Sequence, residues 1–423
     1  MKKSRSLNTL KRQKEKDLEE AVVEKLKING GNPVRPDKIF YGRQWIDEDD
    51  ITAVAETLRS NYITCGPRVE EMERRLSEYT GAKYAVAVSN GTAALHCACL
   101  AAGIKPGDEV ITTPLTFAAS ANCALYCGAI PVFADINPET YNIDPDSIRE
   151  KITERTRAVI AVDFTGQAAE IDRIRAICDE YHLVFIEDAA HSIATKYNGK
   201  QVGSLADMTT FSFHPVKTIT GGEGGAILTN DEGYYRKLVL AHTHGITHDN
   251  KMMEDGPHEG PWYYEQIALG YNYRITDFQA ALIISQMNKL DQFAARRKEI
   301  VQRYDQAFAE IPEIILQKEI PESDTCRHLY ILRLNLDQLN CTRRMFFDAM
   351  SAENIQCQIH YVPVYWFPYY RHLGYQRGLC PNAEEVYKGI LSIPIYPKMT
   401  EQDVADVIHA VRKVTDYYRK VPE

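Results

Sequence analysis

One lysine in this chain sits where a nucleophile would sit. The run Thr210-Phe211-Ser212-Phe213-His214-Pro215-Val216-Lys217 leads into Gly221-Gly222-Glu223-Gly224-Gly225 and a further apolar stretch. Read as structure, a strand ends in a serine, a turn containing proline presents the lysine, and a glycine-rich hairpin returns the chain to a sheet. An exposed lysine is protonated below a pKa of about 10.4, whereas a desolvated one can attack an aldehyde, hold it as a Schiff base and later shuttle a proton. A surface lysine beside a turn would account for Lys217 alone, and would leave Ser212 and the glycines unexplained.

Two earlier segments supply what such a lysine needs around it. In Phe185-Ile186-Glu187-Asp188-Ala189-Ala190-His191, two carboxylates and a histidine follow an apolar strand at its C-terminal end, the edge where open α/β sheets collect their sites. A buried aspartate facing a ring nitrogen keeps that nitrogen protonated, which is what the electron sink of pyridoxal phosphate (PLP) requires. The alternative for Asp188 is a cap on the next helix. Ser89-Asn90-Gly91-Thr92-Ala93-Ala94-Leu95 follows another apolar strand and opens a helix, so its backbone N–H groups are available to a phosphate. Turns of that composition are common, so this segment gains weight only beside the other two.

These segments belong to a regular alternation. Apolar strand-like runs at 85–88, 109–112, 130–134, 158–162, 183–186, 208–212 and 226–228 alternate with helical ones, which predicts a mainly parallel sheet covered on both faces. A loop-rich stretch at 245–275 follows, containing Trp262-Tyr263-Tyr264, which reads as a mobile loop with aromatic anchors. A long helical pattern then runs from 276 past 303. Strand candidates at 330–334 and 355–359, a helix at 342–353 between them and an amphipathic helix at 402–419 predict a smaller C-terminal α+β domain. Residues 1–34 read as an N-terminal extension, 35–290 as a large cofactor-binding domain and 291–423 as the small one. Within the extension, residues 1–30 carry nine Lys or Arg against five Asp or Glu, with Leu18, Val22 and Leu26 at helical spacing.

Composition narrows the function classes. The chain has 423 residues, 44% hydrophobic and 25% charged, with a net charge of -9, which suits a globular protein and argues against nucleic acid as a partner. No run of about 18 apolar residues is present and the basic start lacks the apolar core of a secretory signal, so neither membrane association nor export is expected and the cytoplasm is the expected location. Ten cysteines are too dilute for a disulfide scaffold and read as reduced core residues. The Cys97/Cys99 and Cys123/Cys127 pairs lack the spacing of a metal knuckle, and no metal is expected.

The three segments, in this order and spacing, resemble the DegT/DnrJ family of sugar-nucleotide aminotransferases, PLP enzymes of the aspartate-aminotransferase fold. The resemblance covers roughly residue 40 to the C-terminus, and Ser-Phe-His-Pro-x-Lys with Gly-Glu-Gly-Gly is its most specific part. It implies a mainly parallel seven-stranded sheet plus a smaller C-terminal α+β domain, with PLP as cofactor. Lys217 would bind the cofactor covalently, Asp188 would pair with its ring nitrogen and His191 would sit beside it. Gly91, Thr92, Ala93 and Ser212 would hold the phosphate, and Phe117 would stack on the ring. Asn272, in Gly270-Tyr271-Asn272-Tyr273-Arg274, would reach the phosphate of a neighbouring subunit, which implies a homodimer.

Within the family, Phe40-Tyr41, Asn61-Tyr62-Ile63-Thr64, Val162-Asp163-Phe164 with Gly166-Gln167, and Ile359-His360-Tyr361-Val362-Pro363 resemble the members that aminate C4 of a UDP-linked 4-keto-6-deoxy-hexosamine in pseudaminic acid biosynthesis, with L-glutamate as donor. The resemblance implies that Tyr41, Asn61, Tyr62, Ile63, Thr64, His360 and Tyr361 contact the sugar nucleotide. Two features depart from it: Gly221 stands where threonine is more usual, and the N-terminal extension has no counterpart. Other sugar-nucleotide aminotransferases, such as the GDP-perosamine type, remain open. A PLP-dependent sugar dehydratase would carry histidine in place of Lys217, and a regulator that keeps the fold without the chemistry would not need Lys217, Asp188 and Ser212 together. An amino-acid-only transaminase would need an arginine clamp, and the sequence identifies none.

Overall fold

The computed structural model describes residues 24–256 and 260–420. Leu18 and Val22 lie outside the described residues, as does Pro257. Seven strands, β1 (Tyr84–Val88), β2 (Glu109–Thr112), β3 (Ile130–Phe133), β4 (Thr156–Val162), β5 (Val184–Asp188), β6 (Met208–Ser212) and β7 (Gly225–Thr229), form one sheet in the order β1-β7-β6-β5-β4-β2-β3. Each of the seven strands expected between residues 85 and 228 is present in it. The run from β6 through β5, β4 and β2 to β3 is parallel, whereas β7 lies antiparallel to both β6 and β1. The hairpin after Lys217 is what reverses the chain.

The strands are rich in Val, Ile and Ala because both faces are covered. Alternate residues therefore enter different cores. Phe185 and Phe211 pack on one face, with Ile174 and Ile177 of the helix Ile171–Tyr181. Ile186 and Met208 pack on the other, against helices α1 (Gly91–Ala101) and α2 (Ala119–Tyr126) through Ala94, Cys97 and Cys123. This alternation decides which side chains at the strand ends can reach the site.

The helical pattern beginning at 276 divides into α3 (Asp277–Met287) and α4 (Leu290–Phe308). Between them Asn288 and Lys289 form a turn, and the Lys289 Nζ lies 2.5 Å from Asp47 and 2.8 Å from Asp50. Helix α4 then spans two cores: Leu290 and Phe293 pack beneath the large sheet, whereas Ile300, Tyr304 and Phe308 pack with a second, antiparallel sheet. That sheet has the order β8 (Ile314–Leu316), β9 (Tyr330–Leu334), β10 (Ile390–Ile393). Residues 355–359, expected as a strand, make only single bridges, Ile355 with Ile39 and Gln358 with Ser392. The helices α5 (Arg343–Ala352) and α6 (Glu401–Tyr418) match the expected ones to within about two residues.

The segment from residue 24 is docked rather than free. Leu26 is fully buried in the C-terminal core, and the N–H groups of Lys27 and Val34 both donate to the Glu353 carboxylate. Seven of the ten cysteines are buried, Cys127 and Cys341 are half-buried and Cys65 is exposed; all are free thiols. No described helix is long and apolar enough to cross a membrane. Among the described residues no group of three or more His, Cys, Asp or Glu is placed to hold a metal ion.

Candidate active site

A cavity of about 700 Å³ opens at the C-terminal edge of the parallel strands. The strand ends contribute Val162, Asp188, Thr210 and Ser212, the start of α1 contributes Asn90 to Ala93, and the loop from β6 to β7 contributes His214 and Lys217. The segments expected to carry chemistry therefore meet although they are far apart in the chain. Glu187 and Asp188 do not act together. Alternation along β5 places Glu187 on the opposite face, where Thr209 donates to it at 2.8 Å, and burial pushes its carboxyl well above the usual range.

Asp188 faces the cavity on the side of α1 and α2. Its Oδ2 accepts the Ser120 hydroxyl at 2.7 Å and its Oδ1 accepts the Ala190 N–H at 3.3 Å. Burial raises its pKa, while those two donors and the charge of Lys217 pull it back. Lys217 responds in the opposite sense: burial pushes its amine down to about 8, and only the negative charge of Asp188 opposes that.

The start of α1 and the end of β6 are packed against each other through a glycine. A Cβ on Gly91 would fall 2.8 Å from Ser212 Cβ and 3.1 Å from its hydroxyl, so only glycine permits this approach. Asn90 caps the helix, its side chain accepting the Ala93 N–H at 2.8 Å, so that N–H is already engaged. Phe117, just before α2, holds its ring 62% exposed at the cavity.

The facing wall comes mostly from the C-terminal half, joined by Tyr41 from near the start of the chain. Tyr41, His328, His360 and Tyr361 line it, with His191 from the turn after β5. The Tyr361 hydroxyl lies 3.3 Å from His191 Nε2, the His191 and His328 rings are 4.7 Å apart, and His360 Nδ1 is 2.7 Å from the Ser392 hydroxyl. All three imidazoles are held neutral by burial first and by the Lys217 charge next, His360 at about 4 and the other two well below the usual value.

The stretch around Asp163 is a seat for this wall. Asp163 Oδ2 accepts the Ser192 hydroxyl at 2.6 Å, which fixes the His191 turn. Thr165 adopts a left-handed conformation (φ 64°), and its carbonyl accepts the His328 N–H at 2.7 Å. A Cβ on Gly166 would lie 2.2 Å from the Cys326 carbonyl oxygen, so glycine is required where segment 326–329 crosses.

Asn61, Tyr62, Ile63, Thr64 and Asn272 do not line this cavity. All five are exposed. The first four form a loop pinned to α3: the Asp277 N–H donates to the Ile63 carbonyl at 3.0 Å, and the Gly66 N–H to the Asp277 carboxylate at 2.8 Å. Conversely, sequence reasoning did not single out Ser120 or His328. Ser120 carried a faint signal, one helical turn beyond Thr116. His328 carried none, because only the crossing of segment 326–329 over Gly166 brings it to the site.

Comparison with known proteins agrees with this geometry. The model of the DegT/DnrJ/EryC1/StrS aminotransferase family matches residues 44–412. The chain is 41% identical to the spore coat polysaccharide biosynthesis protein SpsC of Bacillus subtilis, over 88% of this chain and 96% of that protein. It is 37% identical to the UDP-4-amino-4,6-dideoxy-N-acetyl-beta-L-altrosamine transaminase of Campylobacter jejuni, over 90% of this chain and 99% of that protein. Among solved structures, Spr1654 of Streptococcus pneumoniae in a PLP form superposes with a TM-score of 0.83 at 30% identity, covering 90% of this chain and 99% of that one. With a half-buried lysine and a buried aspartate lining one cavity at the sheet edge, the chain belongs to the DegT/DnrJ/EryC1/StrS family and is a PLP-dependent aminotransferase.

Proposed function

We propose that the protein moves an amino group from L-glutamate to C4 of a UDP-linked 4-keto-6-deoxy-hexosamine, in the cytoplasm and as a homodimer. The observation that carries the reading is the presence of Lys217 and Asp188 in the lining of one cavity of about 700 Å³, in a chain 37% identical over 90% of its length to a transaminase named for an amino-sugar nucleotide. The chain's own residues fit PLP. Asp188 is a buried carboxylate with no ion pair within 4 Å among the described residues, so it lacks a close cationic partner until a protonated ring nitrogen arrives. Gly91 lets the end of β6 close on the start of α1, which brings the Ser212 hydroxyl beside the helix N-terminus where a phosphate binds.

When bound, PLP supplies an aldehyde that takes up the amino group and a ring that accepts the electron pair left at the α-carbon. Lys217 Nζ moves the proton between the glutamate α-carbon and C4′ of the cofactor, and in the second half-reaction returns it to C4 of the sugar. Asp188 holds the ring-nitrogen proton. Gly91, Thr92 and Ser212, beside Ala93, bind the phosphate, and Phe117 covers one ring face. Tyr41, His360 and Tyr361 orient the sugar, the neutral imidazole serving as both donor and acceptor.

The exposed loop 61–64 and Asn272 serve the cavity of a second copy. Leu269, 80% exposed, and Trp262, 70% exposed, lie close to Asn272 in the chain and offer the apolar surface that such an interface covers. Equilibrium sedimentation is expected to return twice the mass of one chain, and Leu269→Asp to return a single chain, since a carboxylate in an apolar interface is strongly disfavoured.

Two further outcomes follow from the lysine and the glycine. The apo-protein should capture PLP about tenfold faster per pH unit as pH rises, levelling off above pH 8 because only the neutral amine attacks. Stopped-flow absorbance checks this, and a rate still rising past pH 10 would mean an unperturbed lysine. Gly91→Ala should weaken PLP binding by about 1–3 kcal/mol, the usual consequence of overpacking, measured by equilibrium dialysis.

The substrate is tested by following the visible absorbance of the bound cofactor. L-glutamate should bleach it, and the UDP-linked 4-keto-6-deoxy-hexosamine should restore it while the amino-sugar nucleotide appears by mass spectrometry. No bleaching would remove glutamate as donor. Bleaching without recovery would remove this sugar.

A further inference from the structure

We propose that Ser120 is the positioning residue that keeps Asp188 ionised and aimed at the cofactor's ring nitrogen, with Thr116 fixing the serine hydroxyl in turn. The inference rests on the ring-nitrogen role given to Asp188 above. Ser120 Oγ lies 2.7 Å from Asp188 Oδ2 and 2.8 Å from Thr116 Oγ1. All three side chains are largely shielded from bulk solvent. An ionised carboxylate only accepts, and a hydroxyl has one proton. Ser120 therefore donates to Asp188, and the Thr116 hydroxyl must donate to Ser120. The chain of donors has one direction, and it ends on the carboxylate.

The fold explains why this pair stands there. Ser120 is the second residue of α2, and Thr116 lies four residues earlier, before the helix begins. Phe117 lies between them, so one turn of chain places the aromatic that covers the ring face and the hydroxyl that orients the group at the ring edge. With Ser120 on Oδ2 and the Ala190 N–H on Oδ1, the carboxylate cannot rotate freely, yet each oxygen keeps a lone pair for the ring nitrogen. A buried carboxylate that lost the Ser120 donor would bind a proton more readily and hold the ring-nitrogen proton less firmly.

The test uses the holoenzyme reconstituted with PLP carrying ¹⁵N in the ring. Wild type, Ser120→Ala, Ser120→Thr and Thr116→Val are titrated by ¹⁵N NMR, and kcat and KM are measured for the L-glutamate half-reaction. The wild-type nitrogen should stay protonated over the whole range in which the protein is folded. Ser120→Ala should lose that proton within the range and fall about tenfold in kcat, the scale of one hydrogen bond to a charged group, with KM unchanged. Ser120→Thr should restore both, and Thr116→Val should move the titration the same way by less. A Ser120→Ala nitrogen that titrates as in wild type overturns the inference and leaves the role of Asp188 standing. Should Ser120→Ala not fold, the Thr116→Val titration decides, and no movement there overturns the inference equally. A wild-type nitrogen without a proton overturns the Asp188 reading and this inference with it.

Discussion

Lys217→Ala should reduce turnover by at least about 10²–10⁴-fold, the contribution of one positioned proton-transfer group, and further through loss of the nucleophile. Borohydride treatment of the PLP-loaded wild type should add the cofactor's mass to the peptide holding Lys217, and should add nothing to the variant. The fold should survive. Burial disfavours the charged lysine, and its environment already presses the amine down to about 8, so alanine removes a strained group rather than a support. Circular dichroism and a melting curve of the apo-protein check that point. A variant with near-normal activity would rule out the proposed chemistry.

Asp188→Asn is the second large effect. Asparagine keeps the shape and can still accept the Ser120 hydroxyl, but it cannot balance a positive ring nitrogen, and the loss of such a placed charge should lower kcat by about 10²–10³-fold. Stability should move the other way. Burial raises the folded-state pKa of Asp188, so the folded apo-protein binds that proton more tightly than the unfolded chain does. As pH climbs past the unfolded carboxylate value, ionising this group costs the folded state more than the unfolded one. The neutral amide avoids that cost. At pH 8 the apo variant should therefore melt no lower than apo wild type while turning over far more slowly. A melting temperature several degrees lower would make Asp188 a structural residue first.

How far the sequence could be read depended on whether neighbours along the chain or across it made the decision. The seven strands were legible because each is a short apolar run bounded by turn residues and buried on both sides. Asp188 and Gly91 were legible because each sits at a strand end or helix start, and Lys217 because it stands in the turn between a strand and a glycine-rich hairpin, where composition changes abruptly. The stretch 355–359 looked like a strand from its alternating Ile355, Cys357 and Ile359, yet it lies where only Ile39 and Ser392 are in reach. The helical period carried on through 288, whereas the chain turns at Asn288 and Lys289 and the lysine amine reaches Asp47 and Asp50, a contact across the fold that no local pattern records. Glu187 and Asp188 looked equivalent until the pleat of β5 sent them to opposite faces. His328 was invisible for the same reason as the break: its place is set by what it crosses.

That crossing gives Gly166 the character of an alignment pin. Two stretches of chain converge on its α-carbon: an added methyl group would meet the Cys326 carbonyl oxygen at 2.2 Å and the His328 backbone nitrogen at 3.0 Å on one, and the His191 carbonyl oxygen at 3.0 Å on the other. The spacing between two imidazoles is thus registered by a residue with no side chain and no contact with any reactant. A change there would act as a misfit between parts, shifting one half of the site against the other while every reactive group stayed chemically intact.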